Sequence, residues 1–319
     1  MRLLPLPHYL TSFLDRRKPA VLLAAITHRC NLRCKYCGLW EEQREELKTE
    51  EWCELLSEAS RIGVVSVSFC GGEPLVREDV GILLRHAKKQ WMRTSLTTNG
   101  VFVVERHRDL ELLDAISLSL DGREVTHDSL RGKGTFRRVL EAIDWALKAK
   151  KKIYTVTVLT QDNIEDIPFV CHMAKSKGFL AFFQPATAYA FCGRHTEDLS
   201  LDQQTLRHVG EFLIRMKKDG LPVGNSLSYL RSLLSPLKPK VCSAGRRFLT
   251  VLPDAALVPC HILVSNEAPR WQKNALRSQI TSIAVTQCAN CRIAPYYEYD
   301  STLSRFSIET YVNAVRVLF

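Results

Sequence analysis

The chain has 319 residues, 46% hydrophobic and 24% charged, with 44 Lys and Arg against 34 Asp and Glu for a formal net charge of +10. That balance belongs to a folded protein with one large α/β unit and a smaller one, and it excludes disordered and fibrous classes. The longest apolar runs, such as 21–26 and 64–67, fall far short of the roughly 20 residues a membrane-spanning helix needs, so no span is predicted.

At the N-terminus Leu3, Leu4 and Leu6 are interrupted by Pro5 and Pro7, which argues against a signal peptide and predicts a cytoplasmic protein. Eleven cysteines in a reducing compartment point to metal or redox chemistry rather than disulfides. The basic excess gathers near predicted helix ends, as at Lys88-Lys89 and Lys217-Lys218, where cations complement the helix dipole. It reads as solvated surface and not as a nucleic-acid stripe.

From residue 20 to 218 short β-branched runs alternate with longer amphipathic stretches, the pattern of βα units and a parallel sheet. Strands are predicted at 21–27, 64–69, 93–97, 115–120, 153–159 and 180–184, and helices at 49–61, 79–90, 102–113, 135–150, 164–177 and 201–218. Six such units predict an α/β fold, a partial (β/α)6 TIM-like barrel, with a doubly wound open sheet as the alternative. Most strand ends finish in polar or glycine-rich residues, and in a parallel barrel those ends share the face where active sites form.

After Gly220 the periodicity breaks at Pro222, Gly224, Pro236 and Pro239, so 219–240 reads as a linker. The segment 241–300 follows as a small unit with four cysteines and one hairpin near Pro253-Asp254, too poor in apolar residues to fold without a metal staple. The remaining divisions are an N-terminal segment 1–18, a barrel 19–218 and a C-terminal amphipathic helix within 301–319.

Cys30, Cys34 and Cys37 follow the first strand in the stretch Cys30-Asn31-Leu32-Arg33-Cys34-Lys35-Tyr36-Cys37-Gly38. Three thiolates so close can hold three corners of a four-iron cube and leave one iron open, whereas a zinc site normally has a fourth protein ligand nearby. This CxxxCxxC spacing, with an aromatic residue before the last cysteine, resembles the motif of the radical S-adenosylmethionine (SAM) superfamily. Gly71-Gly72-Glu73-Pro74 after the second strand resembles that family's GGEP motif. The resemblance implies that Glu73 receives the SAM ammonium and that Gly71 and Gly72 allow its close approach. Thr97-Thr98-Asn99-Gly100 resembles the strand end at the SAM ribose and methionyl group, which gives Thr98 a cofactor contact. By the same resemblance Ser119 and Arg131 hold the SAM carboxylate, and Tyr36 packs beside the cluster and offers backbone to the adenine.

In this family the open iron of a [4Fe-4S] cluster chelates SAM, and an electron from a donor such as flavodoxin or ferredoxin cleaves it to a 5′-deoxyadenosyl radical that abstracts hydrogen. The resemblance therefore implies an enzyme acting on a peptide or a small biosynthetic molecule. Cys242, Cys260, Cys288 and Cys291 resemble the SPASM and Twitch auxiliary-cluster domains, and four thiolates can close a second [4Fe-4S] site. The family usually has glycine five residues before the second of these cysteines, where this chain has Ala255. Cys53, Cys70 and Cys171 read as packing residues, and Cys192 is placed near the barrel mouth. The competing expectation is a non-catalytic iron–sulfur or zinc scaffold that binds nucleic acid, which would have no use for an ammonium acceptor beside a three-cysteine loop.

Overall fold

The computed structural model describes residues 15, 18–42, 44–186, 199–237, 242–261, 263–265, 267–283, 288 and 292–304. β1 (Val21–Thr27) is buried on both faces, which is why its sequence is a continuous apolar run instead of an alternating one. Leu22, Ala24 and Ile26 enter the main core, while Val21 and Leu23 face the other side of the sheet. The elements that follow are α1 (Thr49–Ile62), β2 (Ser66–Gly71), α2 (Val80–Lys89), β3 (Arg93–Thr98), β4 (Ala115–Ser119), α3 (Glu124–Arg131), α4 (Thr135–Lys148), β5 (Lys152–Leu159), α5 (Ile167–Lys177), β6 (Leu180–Pro185) and α6 (Gln203–Lys218). They include five more parallel strands, with α-helices in every connection but that from β3 to β4.

β1 to β6 pair in sequence order and all in parallel. They form a partial TIM-like barrel, with apolar helix faces packed on the outside against Leu96, Ile116 and Phe183. Beyond β1 the sheet continues into β7 (Phe248–Val251), parallel to β1 with Val21 opposite Phe248, and then β8 (Leu257–Val258), antiparallel to β7. The expected hairpin at Pro253-Asp254 is thus present, and it extends the barrel sheet rather than standing apart. α8 (Ala294–Ser304) ties the two margins of the open sheet: Ala294 N–H donates to Gln184 at 3.1 Å, and Tyr296 stacks on Phe248 with ring centroids 5.9 Å apart. Among the described residues no helix is long and apolar enough to cross a membrane.

Three local expectations differ from the structure. The segment 102–113 is a series of turns with a single 3-10 turn, His107–Leu110, instead of a helix. Arg106 holds this form by donating to the carbonyls of Leu75, Arg77 and Glu78 and to Asp109, so tertiary bonds override the amphipathic pattern. α3 was not anticipated, because its eight residues are too short to show periodicity.

The part of the expected linker 219–240 that is described, residues 219–237, is built into the fold. Its α7 (Leu227–Ser232) is capped by Ser226, whose hydroxyl accepts from Tyr229 N–H at 3.0 Å, and Tyr229 and Leu230 are fully buried. Just before it, Asn225 accepts from Phe183 N–H at 2.8 Å and donates to Phe183 carbonyl at 3.0 Å, doing for the β6 edge what another strand would do. The expected C-terminal helix beyond residue 304, and most of the segment 1–18, lie outside the described residues.

Ala255, at the position where the family has glycine, adopts φ +68° in the β7–β8 turn, and its N–H donates to Leu252 carbonyl at 3.0 Å. A left-handed conformation costs a residue with a Cβ about 1–2 kcal/mol, partly offset for glycine by its greater freedom when unfolded. Ala255→Gly is expected to stabilise the protein by about 0.5–1 kcal/mol. A urea titration of the two proteins checks it, and a lower midpoint for the glycine variant contradicts it.

Candidate active site

Cys30, Cys34 and Cys37 lie on an irregular loop between β1 and a 3-10 turn at Leu39–Glu41, all three half-buried. Arg33 closes this loop on itself, donating to the carbonyls of Cys30 and Leu32 and stacking over Trp40 at 4.5 Å. Lys35 N–H bonds to the Leu130 carbonyl at 2.9 Å, which fastens the loop to the end of α3.

Donors point at the sulfurs. Leu32 N–H lies 3.4 Å from Cys30 Sγ, with Asn99 Nδ2 at 4.0 Å, and Arg131 lies 3.9 Å from Cys34 Sγ. As free thiols these groups resist ionisation: burial pushes Cys30 up to about 11 and raises Cys34, against the pull of Arg131. A set of three thiols with N–H and guanidinium donors turned toward them suits an anionic iron–sulfur cluster, which stabilises the thiolate form directly.

Beneath the loop a buried polar node fixes its position. Asp121, fully buried at the end of β4, accepts from Tyr36 Oη at 2.6 Å and Arg131 Nε at 2.6 Å on one oxygen, and from Val158 N–H at 2.9 Å on the other. Burial disfavours the Arg131 charge, but Asp121 more than offsets this, so the guanidinium stays firmly protonated. His127 accepts from Asp121 N–H at 3.1 Å, and burial lowers its pKa to about 4, so the ring is neutral.

The glycine motif packs against the start of the cysteine loop. Gly72 N–H and Glu73 N–H donate to the carbonyls of Thr27 and Arg29 at 2.8 and 2.9 Å. A Cβ on Gly71 would come within 2.0 Å of the Thr27 carbonyl oxygen, and one on Gly72 within 2.4 Å of that of Arg29. Protein backbone therefore already requires both glycines, a closer constraint than the approach of a ligand.

Glu73 is fully buried, and its carboxylate accepts from Leu75 N–H at 3.0 Å, Thr98 Oγ1 at 2.8 Å and Asn99 N–H at 2.8 Å. Burial nevertheless raises its pKa to about 7, with those three bonds opposing. The Thr98 hydroxyl is thus engaged by Glu73, while its neighbour Thr97 lines the barrel cavity. Ser119 ends β4 half-buried, on the same strand face as the cavity-lining Ser117. Sequence reasoning gave no role to Asp121 or Asn99, although both stand in motifs that it singled out.

A cavity of about 360 Å³ fills the barrel interior. It reaches from Cys37, Gly71 and Thr97 at the carboxyl ends of the strands down to Ser66 and Arg93 at their starts. Tyr296, Tyr299 and His261 close one side. There Cys242 and Cys260 are buried in one apolar cluster with Phe248 and Tyr296, and Cys288 packs against it.

Cys70, expected as a packing residue, also touches that cluster and lines the cavity, its thiol pushed up to about 12 by burial. Cys171 is buried in α5, in keeping with packing. Cys192 and Cys291 lie outside the described residues. Among the described residues no three His, Cys, Asp or Glu side chains gather tightly enough for a single metal ion.

Comparison with known proteins places these features. The model of the Radical SAM superfamily matches residues 25–174. PqqA peptide cyclase of Granulibacter bethesdensis is 29% identical over 253 residues, 76% of this chain and 68% of that protein. Its namesake in Bradyrhizobium diazoefficiens is 30% identical over 256 residues, 76% and 67% of the two chains. In structure, Streptococcus suis SuiB bound to S-adenosylmethionine superposes with a TM-score of 0.67 over 80% of this chain at 19% identity. This chain spans 63% of the SuiB chain, less than two thirds of it. Native anSMEcpe with bound AdoMet superposes at 0.66, covering 90% of this chain and 85% of the other, again at 19% identity. At such identities the superpositions speak for the fold alone. The family match and the 30% identical relative together carry the assignment, and by them this chain belongs to the radical SAM superfamily, enzymes that use S-adenosylmethionine and a [4Fe-4S] cluster.

Proposed function

We propose that this chain modifies a peptide by hydrogen abstraction, with SAM held between the cysteine loop and Glu73 and with one auxiliary cluster. The observation that carries the SAM site is the Glu73 carboxylate, buried and oriented by three donors directly against the backbone of the cysteine loop. Cys30, Cys34 and Cys37 would hold the cluster, which together with SAM supplies reductive cleavage to a 5′-deoxyadenosyl radical.

The chain's own residues bind, orient and shield. Glu73 takes the SAM ammonium, a charge-assisted bond strengthened by the exclusion of water. Thr98 acts through Glu73 by fixing its carboxylate. Ser119 and the outer nitrogens of Arg131 take the SAM carboxylate, and Tyr36, packed beside the cluster, offers backbone to the adenine. The cavity below offers apolar walls, suited to excluding water and groups that would quench a radical.

The peptide reading is supported by the name shared by the relatives, PqqA peptide cyclase, and by the structure of SuiB bound to the precursor peptide SuiA, whose fold this chain shares with a TM-score of 0.66. A flavodoxin or ferredoxin would supply the electron. For the auxiliary cluster, support comes from Cys242, Cys260 and Cys288 sharing one apolar cluster beside the cavity, with Cys291 as the fourth ligand. A cube spreads its thiolates over separate irons, so it does not require them to converge on one point.

Two results test this reading. Anaerobically prepared protein is expected to hold about eight irons, falling to about four when Cys30, Cys34 and Cys37 are all replaced by alanine. Stoichiometric zinc without labile sulfide contradicts it.

The second concerns pH. SAM binds the ionised form of Glu73, whose carboxyl titrates at about 7 in the free protein. SAM affinity should therefore rise with pH up to that point and level off above it. Glu73→Gln should remove the dependence and weaken binding by about 1.5–3 kcal/mol. Equilibrium dialysis with labelled SAM across this range reads both, and a variant with native affinity removes Glu73 from the SAM site.

A further inference from the structure

The starts of the barrel strands carry positive charge that no described residue matches. Arg93 opens β3, and with Ser95 and Thr97 it forms the face of that strand that lines the cavity. Elsewhere in the barrel, Arg77, Arg106, Arg123, Arg131 and Arg138 each face a carboxylate. Among the described residues Arg93 has no carboxylate within ion-pair distance and makes no side-chain hydrogen bond.

Lys152, which opens β5, is a second cation, and it lines a neighbouring cleft and not this cavity. Burial first, and then the nearby charge of Arg93, bring its ammonium down to about 8, and no acid acts on it in the opposite direction. The phenols of Tyr154 and Tyr299 line the same part of the cavity, and Arg93 acts electrostatically on both. One carboxylate, Glu298, also lines the cavity, but it accepts from Ser226 N–H at 2.8 Å. The remaining walls include Val21, Leu23, Val156 and Phe182. Arg93 is half-buried, and an arriving anion can take charge-assisted bonds from its unengaged guanidinium where apolar walls limit water.

We propose that Arg93 receives a carboxylate of the substrate at the amino-terminal end of the barrel. This rests on the peptide reading above and narrows the substrate class. Hydrogen abstraction belongs at the other end of the cavity, near Cys37, Gly71 and Thr97. From Arg93 to Thr97 the strand climbs about 13 Å, at about 3.3 Å per residue. An extended peptide covers that height in about three or four residues. The carboxylate therefore belongs to a residue about three positions from the one attacked, either a free C-terminus or an acidic side chain.

The test uses the anaerobic full-length holoprotein with SAM and three probe peptides. These are acetyl-Ala-Ala-Tyr-Ala-Ala as the free acid, the same peptide as its C-terminal amide, and the amide with Glu in the last position. Calorimetry is expected to show at least one of the two carboxylate-bearing peptides binding tenfold or more tighter than the neutral amide, the scale of a charged hydrogen bond. The tighter of the two identifies the source of the carboxylate. The gap should close in Arg93→Gln and persist in reduced form in Arg93→Lys, which keeps the charge but loses the planar fork.

Binding of both carboxylate-bearing peptides no tighter than the neutral amide by the native protein, no binding of any probe at millimolar concentration, or a gap that survives in Arg93→Gln overturns the proposal. Should Arg93→Gln fail to fold by circular dichroism, the native comparison and Arg93→Lys decide. Release of 5′-deoxyadenosine, measured on the same native preparation, separates the two levels. Its absence sinks the SAM-cleaving reading, whereas SAM cleavage with indifference to peptide charge sinks only the carboxylate site.

Discussion

A single carboxylate, Asp121, organises the approach to the active site. It is fully buried, paired with Arg131 and hydrogen-bonded by Tyr36 and the Val158 amide. Three parts of the chain that are distant in sequence converge on it: the cysteine loop, the end of α3 and β5. Removing one partner of such a buried pair leaves an uncompensated charge, at a cost of about 3–5 kcal/mol. The loop that would hold the cluster owes its placement to this node, because apolar packing alone would not fix its register.

The second constraint is the contact of backbone with backbone. Gly71 and Gly72 leave no room for a side chain between the end of β2 and the residues leading into Cys30. Glu73 is carried into its buried position by the same contact, and Thr98 and Asn99 then orient it. The proposed SAM ammonium acceptor and the start of the loop proposed to hold the cluster are thus joined through backbone hydrogen bonds.

Much of this was legible in the sequence. The six parallel strands announced themselves through short runs rich in apolar or β-branched residues alternating with longer amphipathic stretches, and β1 was bounded to the residue. The cysteine and glycine motifs pointed to a candidate site through their resemblance to those of a known family, and the structure packs the two motifs against each other. What could not be read was tertiary. The amphipathic pattern of 102–113 gives no hint that Arg106 will bond three carbonyls of another loop. Prolines and glycines after Gly220 resemble a linker whether or not an asparagine among them completes a sheet. Asp121 stood in a recognised motif, but its role depends on Tyr36, 85 positions away.

The way the sheet ends has a consequence for synthesis on the ribosome. The β6 margin is covered by residues 223–225, and the outer margin of β1 by β7, which begins at Phe248. Both covers therefore emerge after all six barrel strands have been made. Until they arrive, the nascent sheet has two bare margins of unpaired amides and carbonyls, each able to recruit a strand from a neighbouring chain. Translational pausing or premature termination shortly before residue 222 would leave the barrel in its most aggregation-prone form, and chaperone dependence should peak over that interval of elongation.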